Sequence, residues 1–121
     1  MAKTVLTVDD SPTIRRMVAM TLGEAGYAVL EAVDGLDGLQ KATTQVVDGI
    51  ITDQNMPNMD GISFIRALRQ HPSGKGVPII VLSTESSEGL KQTAREVGAT
   101  GWMVKPFDQA RLVAVVKKVI G

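Results

Sequence analysis

Short apolar runs rich in β-branched residues alternate five times with longer segments of helical periodicity. This alternation restricts the fold more than any other feature of the sequence. The runs lie at residues 5–8, 28–32, 49–52, 78–83 and 102–104, and such runs suit buried strands. Strands that alternate with helices predict a parallel sheet with helices on both faces and right-handed crossovers. We therefore predict an α/β, doubly wound (βα)5 fold of the flavodoxin-like kind, with strand order 2-1-3-4-5.

The segments between these runs carry helix-start signals and apolar stripes. Ser11 precedes Pro12, which places an N-cap hydroxyl before a proline at the first helical position. Further helices are predicted to begin at Asp34, at Asp60, near residue 88 and at Asp108, the one near residue 88 ending at Gly98. The predicted inner-face residues are Ile14, Met17, Val18, Thr21, Leu22, Leu36, Leu39, Ala42, Ile62, Ile65, Leu68, Leu112, Val115, Val116 and Val119.

Composition indicates one globular domain over residues 1–121. The apolar fraction is 44%, the charged fraction is 21% and the formal net charge is zero, so no overall field attracts nucleic acid or an anionic membrane. The absence of cysteine excludes disulfides and thiolate chemistry. The sequence has no bilayer-spanning apolar segment and no signal-peptide pattern, so we expect a cytoplasmic monomer. The single histidine, His71, lies in a polar run and is expected to be a solvated loop residue.

Polar residues stand where four of the predicted strands end. In chain order they are Asp9, Asp10, Asp53, Ser83, Thr84 and Lys105. One such acid, taken alone, indicates no more than a strand end or a turn cap. The carboxyl ends of parallel strands meet at one edge of a sheet, however, so we expect all six side chains to share one cleft. The first and third strands are neighbours in the predicted order, which places Asp9 and Asp10 beside Asp53.

Three carboxylates in one cleft need compensating positive charge. Two unit charges about 4 Å apart repel by about 4 kcal/mol at an effective dielectric constant of about 20. Lys105 supplies one positive charge, and a divalent cation would supply two. An all-oxygen site with open positions suits Mg²⁺. A cation, an ammonium and a hydroxyl around a carboxylate are typical of phosphoryl-transfer sites, in which Asp53 itself can be the nucleophile.

Four motifs resemble those of the receiver domains of two-component response regulators, specifically the stand-alone CheY type of chemotaxis. They are Val8-Asp9-Asp10-Ser11, the loop 53–61, the strand 78–83 and Lys105-Pro106-Phe107. The resemblance extends over the whole chain. It implies that Asp53 accepts a phosphoryl group, and that Asp10 binds Mg²⁺ directly while Asp9 acts through water.

The same resemblance assigns roles to residues around the acids. Asp53 and the backbone carbonyl of Asn55 would complete the protein ligands of Mg²⁺. Ser83 would donate its hydroxyl to the phosphoryl group, and Lys105 would pair with that group. The peptide bond between Lys105 and Pro106 is expected to be cis.

Trp102 lies at the position of the family's switch aromatic, which is usually Tyr or Phe. That aromatic turns inward on phosphorylation and changes the outer face of the fourth helix, the fifth strand and the fifth helix. The alternative is a partly exposed aromatic held against the fourth helix. Thr84 replaces the usual Ala or Gly, and its bulk would slow access to the site. Asn55 and Glu85 occupy the two positions that tune hydrolysis of the phosphoryl group in this family.

The resemblance implies a phosphorylation-controlled signalling switch that takes its phosphoryl group from a histidine kinase of CheA type. Such a switch assists its own phosphorylation and dephosphorylation but is not an enzyme acting on other substrates. The sequence ends at Gly121 after the fifth helix, so we expect no output domain. The signal would pass by protein contact at the Trp102 face, for example to a flagellar motor switch protein, with a phosphatase as a further partner.

Three alternatives stay open. The chain could be a single-domain phosphate sink or a phosphorelay intermediate outside chemotaxis. A Mg²⁺-dependent aspartyl phosphatase is less favoured, because such enzymes want a second acid two residues after the nucleophile, where this chain has Asn55. A flavin-binding module is disfavoured, because acids follow the first strand where a phosphate would need hydroxyls and backbone amides.

Overall fold

Strands and helices alternate along residues 2–121, the part of the chain that this computed structural model describes. The strands are β1 (Thr4–Val8), β2 (Ala28–Ala32), β3 (Gly49–Thr52), β4 (Ile79–Ser83) and β5 (Gly101–Val104). The helices are α1 (Pro12–Glu24), α2 (Gly35–Thr44), α3 (Gly61–Gln70), α4 (Glu88–Val97) and α5 (Gln109–Val119), with a 3₁₀ turn (Pro72–Gly74) after α3. Every predicted element is present, with strand starts shifted by one residue at most. The predicted domain includes Met1, which lies outside the described residues.

The five strands form one parallel sheet in the order β2-β1-β3-β4-β5, which confirms the predicted α/β doubly wound fold. Two pairings position the candidate site. Val8 pairs with Thr52, so the residues that follow them, Asp9 and Asp53, leave the sheet side by side. At the other end of the same edge, the Lys105 amide donates to the Ser83 carbonyl at 2.8 Å.

The core consists of two apolar layers, one on each face of the sheet. One layer packs α1 and α5 against the sheet and includes Leu22 and Leu112. The other includes Phe64 and Leu68 of α3 and extends to Ala42 of α2. The inner strands β3 and β4 are buried on both faces, which explains why their sequences show continuous apolar runs instead of alternation.

The N-caps follow the sequence signals. Ser11 accepts a hydrogen bond from the Ile14 amide, and Pro12 is the first helical residue. The same arrangement of a side-chain oxygen and the amide three residues later recurs at Asp34, Asp60, Ser87 and Asp108. Helix α4 ends at Gly98, whose φ of +113° lies in the left-handed region that favours glycine.

Two residues predicted to face the core are exposed instead. Met17 of α1 is 41% exposed and Leu36 of α2 is 52% exposed. In α2 the close approach to the sheet is made by small residues, because a Cβ added at Gly38 would lie 3.0 Å from a methyl group of Val8. Ala42 is buried beside it. Of the predicted stripe of α2, Leu39 and Ala42 therefore contact the core and Leu36 does not. Gly38 takes part in the contact instead, and glycine carries no hydrophobic signal in the sequence.

Among residues 2–121, the helices are too short or too polar for any of them to cross a bilayer. His71 is exposed, as predicted, and its ring nitrogen Nδ1 lies 2.8 Å from the Ser73 hydroxyl.

Candidate functional site

Three carboxylates converge at the carboxyl edge of the sheet. Asp9 and Asp10 follow β1, Asp53 follows β3, and one oxygen of each lies within 4.8 Å of the other two. Asp9 and Asp53 are buried, whereas Asp10 is exposed. The Asp53 amide donates to the Val8 carbonyl at 2.9 Å, which continues the β1–β3 ladder to the acid itself. The acids therefore meet because of the strand order, as predicted.

Lys105 reaches this cluster from the end of β5. Its Nζ atom lies 2.8 Å from Oδ2 of Asp9 and 3.3 Å from Oδ2 of Asp53, and its side chain is 10% exposed. The peptide bond between Lys105 and Pro106 is cis, which confirms that expectation. The three carboxylates of the cluster thus have one ammonium group to balance their negative charge. A divalent cation would supply the two further positive charges that this balance needs.

The environment of Asp53 disfavours an isolated negative charge. Burial raises the pKa of the Asp53 carboxyl above its ordinary value; the Lys105 ammonium opposes this shift and the Asp9 carboxylate adds to it. The Gln54 amide donates to Oδ1 of Asp53 at 2.8 Å, which also favours the ionised form. Added positive charge beside Asp53 would offset the remaining penalty.

The donor set fits a hard divalent cation. Every candidate side-chain ligand in the cluster is a carboxylate oxygen, and Asp10 keeps its side chain open to solvent. Oxygen donors that leave positions for water are the ligands that Mg²⁺ prefers. The acidic cluster can therefore hold such a metal ion, with Asp9, Asp10 and Asp53 as its side-chain contributors.

At the end of β4, the Ser83 side chain lies in the protein interior and the Thr84 side chain lies at the surface. Ser83 is fully buried, and its Oγ accepts a hydrogen bond from the Glu85 amide at 3.2 Å. Thr84 is exposed. Across the mouth of the site, Nδ2 of Asn55 donates to Oε1 of Glu85 at 3.2 Å. The two residues predicted to tune hydrolysis are therefore in direct contact.

Trp102 is half-buried and connects to the same loop. Its indole Nε1 donates to the backbone carbonyl of Glu85 at 2.9 Å. Lys91, Ala94 and Arg95 of α4 line the groove beside it. The orientation is that of an indole held beside α4, which is the second of the two arrangements considered for this residue. Its role as a switch stays a prediction.

Two residues that support the site by hydrogen bonds, Arg15 and Asn58, were not predicted from the sequence. Arg15 of α1 donates from its guanidinium to the backbone carbonyl of Asp9 at 2.7 Å and pairs with Glu31 of β2 at 3.1 Å. Asn58 donates to the Asp34 carboxylate at 2.7 Å. The signal for Asn58 was its place in a turn, because asparagine tolerates the left-handed φ of 67° found there. Arg15 gave no signal beyond lying on a polar helix face.

Comparison with known proteins identifies the family. A family model described as "Response regulator receiver domain" matches residues 5–117. The chain belongs to this family. This match confirms the resemblance to receiver domains, and the likeness to the CheY4 structure described next confirms the CheY-like type.

Three relatives place this receiver more closely. The structure of chemotaxis protein CheY4 from Vibrio cholerae superposes with a TM-score of 0.95 at 46% identity, covering 98% of this chain and 99% of that one. The receiver domain of sensor histidine kinase PA1611 from Pseudomonas aeruginosa, with a magnesium ion in its active-site cleft, gives a TM-score of 0.92 at 30% identity over 100% and 99% of the two chains. Transcriptional regulatory protein PrrA from Mycobacterium tuberculosis is 40% identical over 96% of this chain, which spans 49% of that relative.

Proposed function

We propose that this receiver is a phosphorylation-dependent switch that accepts a phosphoryl group on Asp53 from a histidine kinase. The single observation that carries the proposal is the position of the Asp53 carboxylate. It is buried at the end of β3, its oxygen lies within 4.8 Å of those of Asp9 and Asp10, and it lies 3.3 Å from the Lys105 ammonium. Family membership and the likeness to a chemotaxis regulator support it.

In the proposed transfer, an Oδ atom of Asp53 attacks the phosphorus of a phosphohistidine. An oxygen–phosphorus bond forms, the nitrogen–phosphorus bond breaks, and the histidine nitrogen leaves with the electron pair and takes up a proton. Lys105 would pair with the phosphoryl oxygens, and the Ser83 hydroxyl would donate to one of them. Hydrolysis returns Asp53 to its free form: water attacks phosphorus, the bond between the Asp53 oxygen and phosphorus breaks, and inorganic phosphate leaves the Asp53 carboxylate behind.

We assign Mg²⁺ to the acidic cluster. Asp10 and Asp53 would bind it directly, Asp9 through water, and Asn55 through its backbone carbonyl. The ion supplies positive charge that offsets the negative charge of the acids and of the transferred group. The magnesium ion in the cleft of the PA1611 receiver domain supports this assignment.

The output surface we propose lies around Trp102. The contact from its indole N–H to the Glu85 carbonyl joins this surface to the residue whose amide binds Ser83 and whose carboxylate binds Asn55. A change at the Ser83 hydroxyl would therefore reach Trp102 through one residue. Thr84 and the pair of Asn55 and Glu85 would set how fast donor and water reach the phosphoryl group.

We propose that the switch acts in the cytoplasm in bacterial chemotaxis, with a CheA-type kinase as donor and a partner such as a flagellar motor switch protein as target. The likeness to CheY4 over nearly the whole length of both chains supports this role. The similarity to PrrA, a transcriptional regulatory protein, favours a second candidate, a receiver in a phosphorelay outside chemotaxis. In both roles the chain is a switch that assists its own phosphorylation and dephosphorylation, not an enzyme for other substrates.

Intact mass measured after incubation with acetyl phosphate tests the shared chemistry. We expect one added phosphoryl group on the wild-type protein in Mg²⁺, none in a chelator, and none on Asp53→Asn. Far-ultraviolet circular dichroism of the variant would confirm that it is folded. A phosphoryl group that persists on Asp53→Asn at one site would remove Asp53 from this role. Without any wild-type adduct, release of inorganic phosphate would indicate fast hydrolysis, and no release would contradict the proposal.

A further inference from the structure

The loop between β3 and α3 is tied to the start of α2 by a pair of polar side chains. Nδ2 of Asn58 donates to Oδ2 of Asp34 at 2.7 Å, although the two residues are 24 positions apart in the chain. Oδ1 of Asp34 accepts from the Asp37 amide at 2.8 Å and caps α2. Both hydrogen bonds lower the pKa of Asp34, so this carboxylate is ionised at neutral pH and its bond to Asn58 is charge-assisted.

A second, independent contact joins the same two segments. The Gly35 amide donates to the Met59 carbonyl at 3.2 Å. A Cβ added at Gly35 would lie 2.5 Å from that carbonyl oxygen, so the two backbones approach too closely for any other residue. Side-chain and backbone contacts thus dock residues 58–59 against the cap of α2.

Other hydrogen bonds hold the ends of this loop. Gln54 accepts from the Gly61 amide through its backbone at 2.9 Å and from the Ile62 amide through its side chain at 2.8 Å. Between these ends, Asn55 contacts Glu85 through exposed side chains. Within residues 2–121, the middle of the loop is held from the core side by the polar contacts to Asp34 and Gly35. Met56 and Met59 also pack there against the apolar layer that contains Phe64.

We infer that Asp34, through Asn58, is a positioning residue for loop 55–59 and so sets the affinity of the acidic cluster for Mg²⁺. The inference rests on the proposed function, in which the backbone carbonyl of Asn55 is a ligand. Asp34 touches neither the cation nor the phosphoryl group. It acts by holding the chain three residues beyond that carbonyl, as partners that orient metal ligands do in other sites.

Two substitutions remove the contact and leave the local backbone intact. Asp34→Ser keeps an N-cap oxygen for α2 but is too short to reach Asn58. Asn58→Gly keeps a residue that accepts the positive φ but has no side-chain amide. By calorimetric titration with MgCl2, we expect each variant to bind Mg²⁺ roughly tenfold more weakly than the wild type. The double variant should be no weaker than either single one, because both remove the same contact.

Matched controls separate positioning from loss of stability. Asp108→Ser changes another aspartate N-cap, at α5, whose side chain accepts only from the Arg111 amide among the described residues, and should leave Mg²⁺ affinity unchanged. Urea unfolding in a chelator should show that Asn58→Gly, although less stable than the wild type, is fully folded under the conditions of the titration. Equal Mg²⁺ affinity in the wild type and both variants would overturn the inference, as would additive losses in the double variant. Absence of Mg²⁺ binding by the wild type would instead overturn the proposed function.

Discussion

Helices α3 and α4 contact each other on one side of the sheet but are packed very differently. Each has ten residues. Helix α3 buries Phe64, Ile65 and Leu68 completely, with Gly61 and Ile62 also buried. Within α4, all of which is described, Ala94 is the one buried residue. Full burial of a large apolar side chain stabilises a fold by about 1.5–3 kcal/mol, so α3 is bound to the core far more strongly than α4.

The difference teaches which part of the receiver can respond to phosphorylation. Local stability varies across a fold, and weakly packed elements open or shift at low free-energy cost. Helix α4 is such an element, and it borders Trp102 and the loop that carries Glu85. Helix α3 instead supports the loop that leaves Asp53. The site therefore rests on the firmly packed helix, and the proposed output surface lies on the loosely packed one.

The largest effect that we expect is a loss in the free energy of unfolding when a buried side chain of α3 is truncated. Phe64→Ala should lower the free energy of unfolding by about 3–5 kcal/mol, because it leaves a cavity at a fully buried position. Ala94→Gly is the matched change in α4 and should cost about 1–2 kcal/mol, mostly through helix propensity. Urea unfolding monitored by circular dichroism measures both. Equal losses would contradict the difference in packing.

Removal of the hydrogen bonds that join the two helices should lower stability by an intermediate amount. Arg69 of α3 donates from its guanidinium to the Gly98 carbonyl at 2.7 Å, at the end of α4, and to the Gly74 carbonyl at 2.7 Å. Arg69→Met keeps the apolar stem and removes these bonds, so we expect a loss of about 1–3 kcal/mol. Hydrogen exchange should rise at the end of α4 and stay low in α3. A rise confined to α3 would show that Arg69 does not fasten α4.

How far the sequence predicts this molecule depends on the range of each interaction. Local patterns predict the strands and helices, and the rules for doubly wound folds then give the strand order. The meeting of Asp9, Asp53 and Lys105 follows from that order, because a parallel sheet collects its strand ends at one edge. N-caps such as Asp60 are equally local.

Other features depend on how separate segments pack. The exposure of Leu36 follows from the close approach of α2 at glycine, which carries no apolar signal. The pair of Asp34 with Asn58 joins the cap of α2 to the β3–α3 loop, and the pair of Trp102 with Glu85 joins strand β5 to the β4–α4 loop. Asp34 and Asn58 are of types that suit caps and turns, but the local sequence does not indicate which residues pair across these segments.

A smaller effect is expected from the contact that joins Trp102 to the β4–α4 loop. Trp102→Phe removes the indole N–H that donates to the Glu85 carbonyl and should cost about 0.5–1.5 kcal/mol. Its main consequence should be faster hydrogen exchange over residues 84–88, with α3 unaffected. Unchanged exchange in that loop would mean that the indole does not restrain it.

The smallest effect concerns pH and the Asp34 cap. Because its pKa is lowered in the folded protein, Asp34 contributes stability that is complete above its unfolded pKa of about 3.9 and is lost as the pH falls through its folded pKa. The wild type should therefore lose more stability than Asp34→Ser as the pH falls from about 5 to about 3, an interval that includes the unfolded pKa of aspartate. Urea midpoints across that range test the sign, and parallel curves would contradict it.

The most direct test of the division between a fixed helix and a responsive one is hydrogen exchange read by mass spectrometry, with and without acetyl phosphate in Mg²⁺. For the wild type we expect phosphorylation to change exchange across α4, the β4–α4 loop and the peptide containing Trp102, while α3 stays unchanged. Asp53→Asn should show no change in any of these segments. A wild-type adduct that leaves α4 and Trp102 unchanged, or that alters α3 equally, would contradict the account.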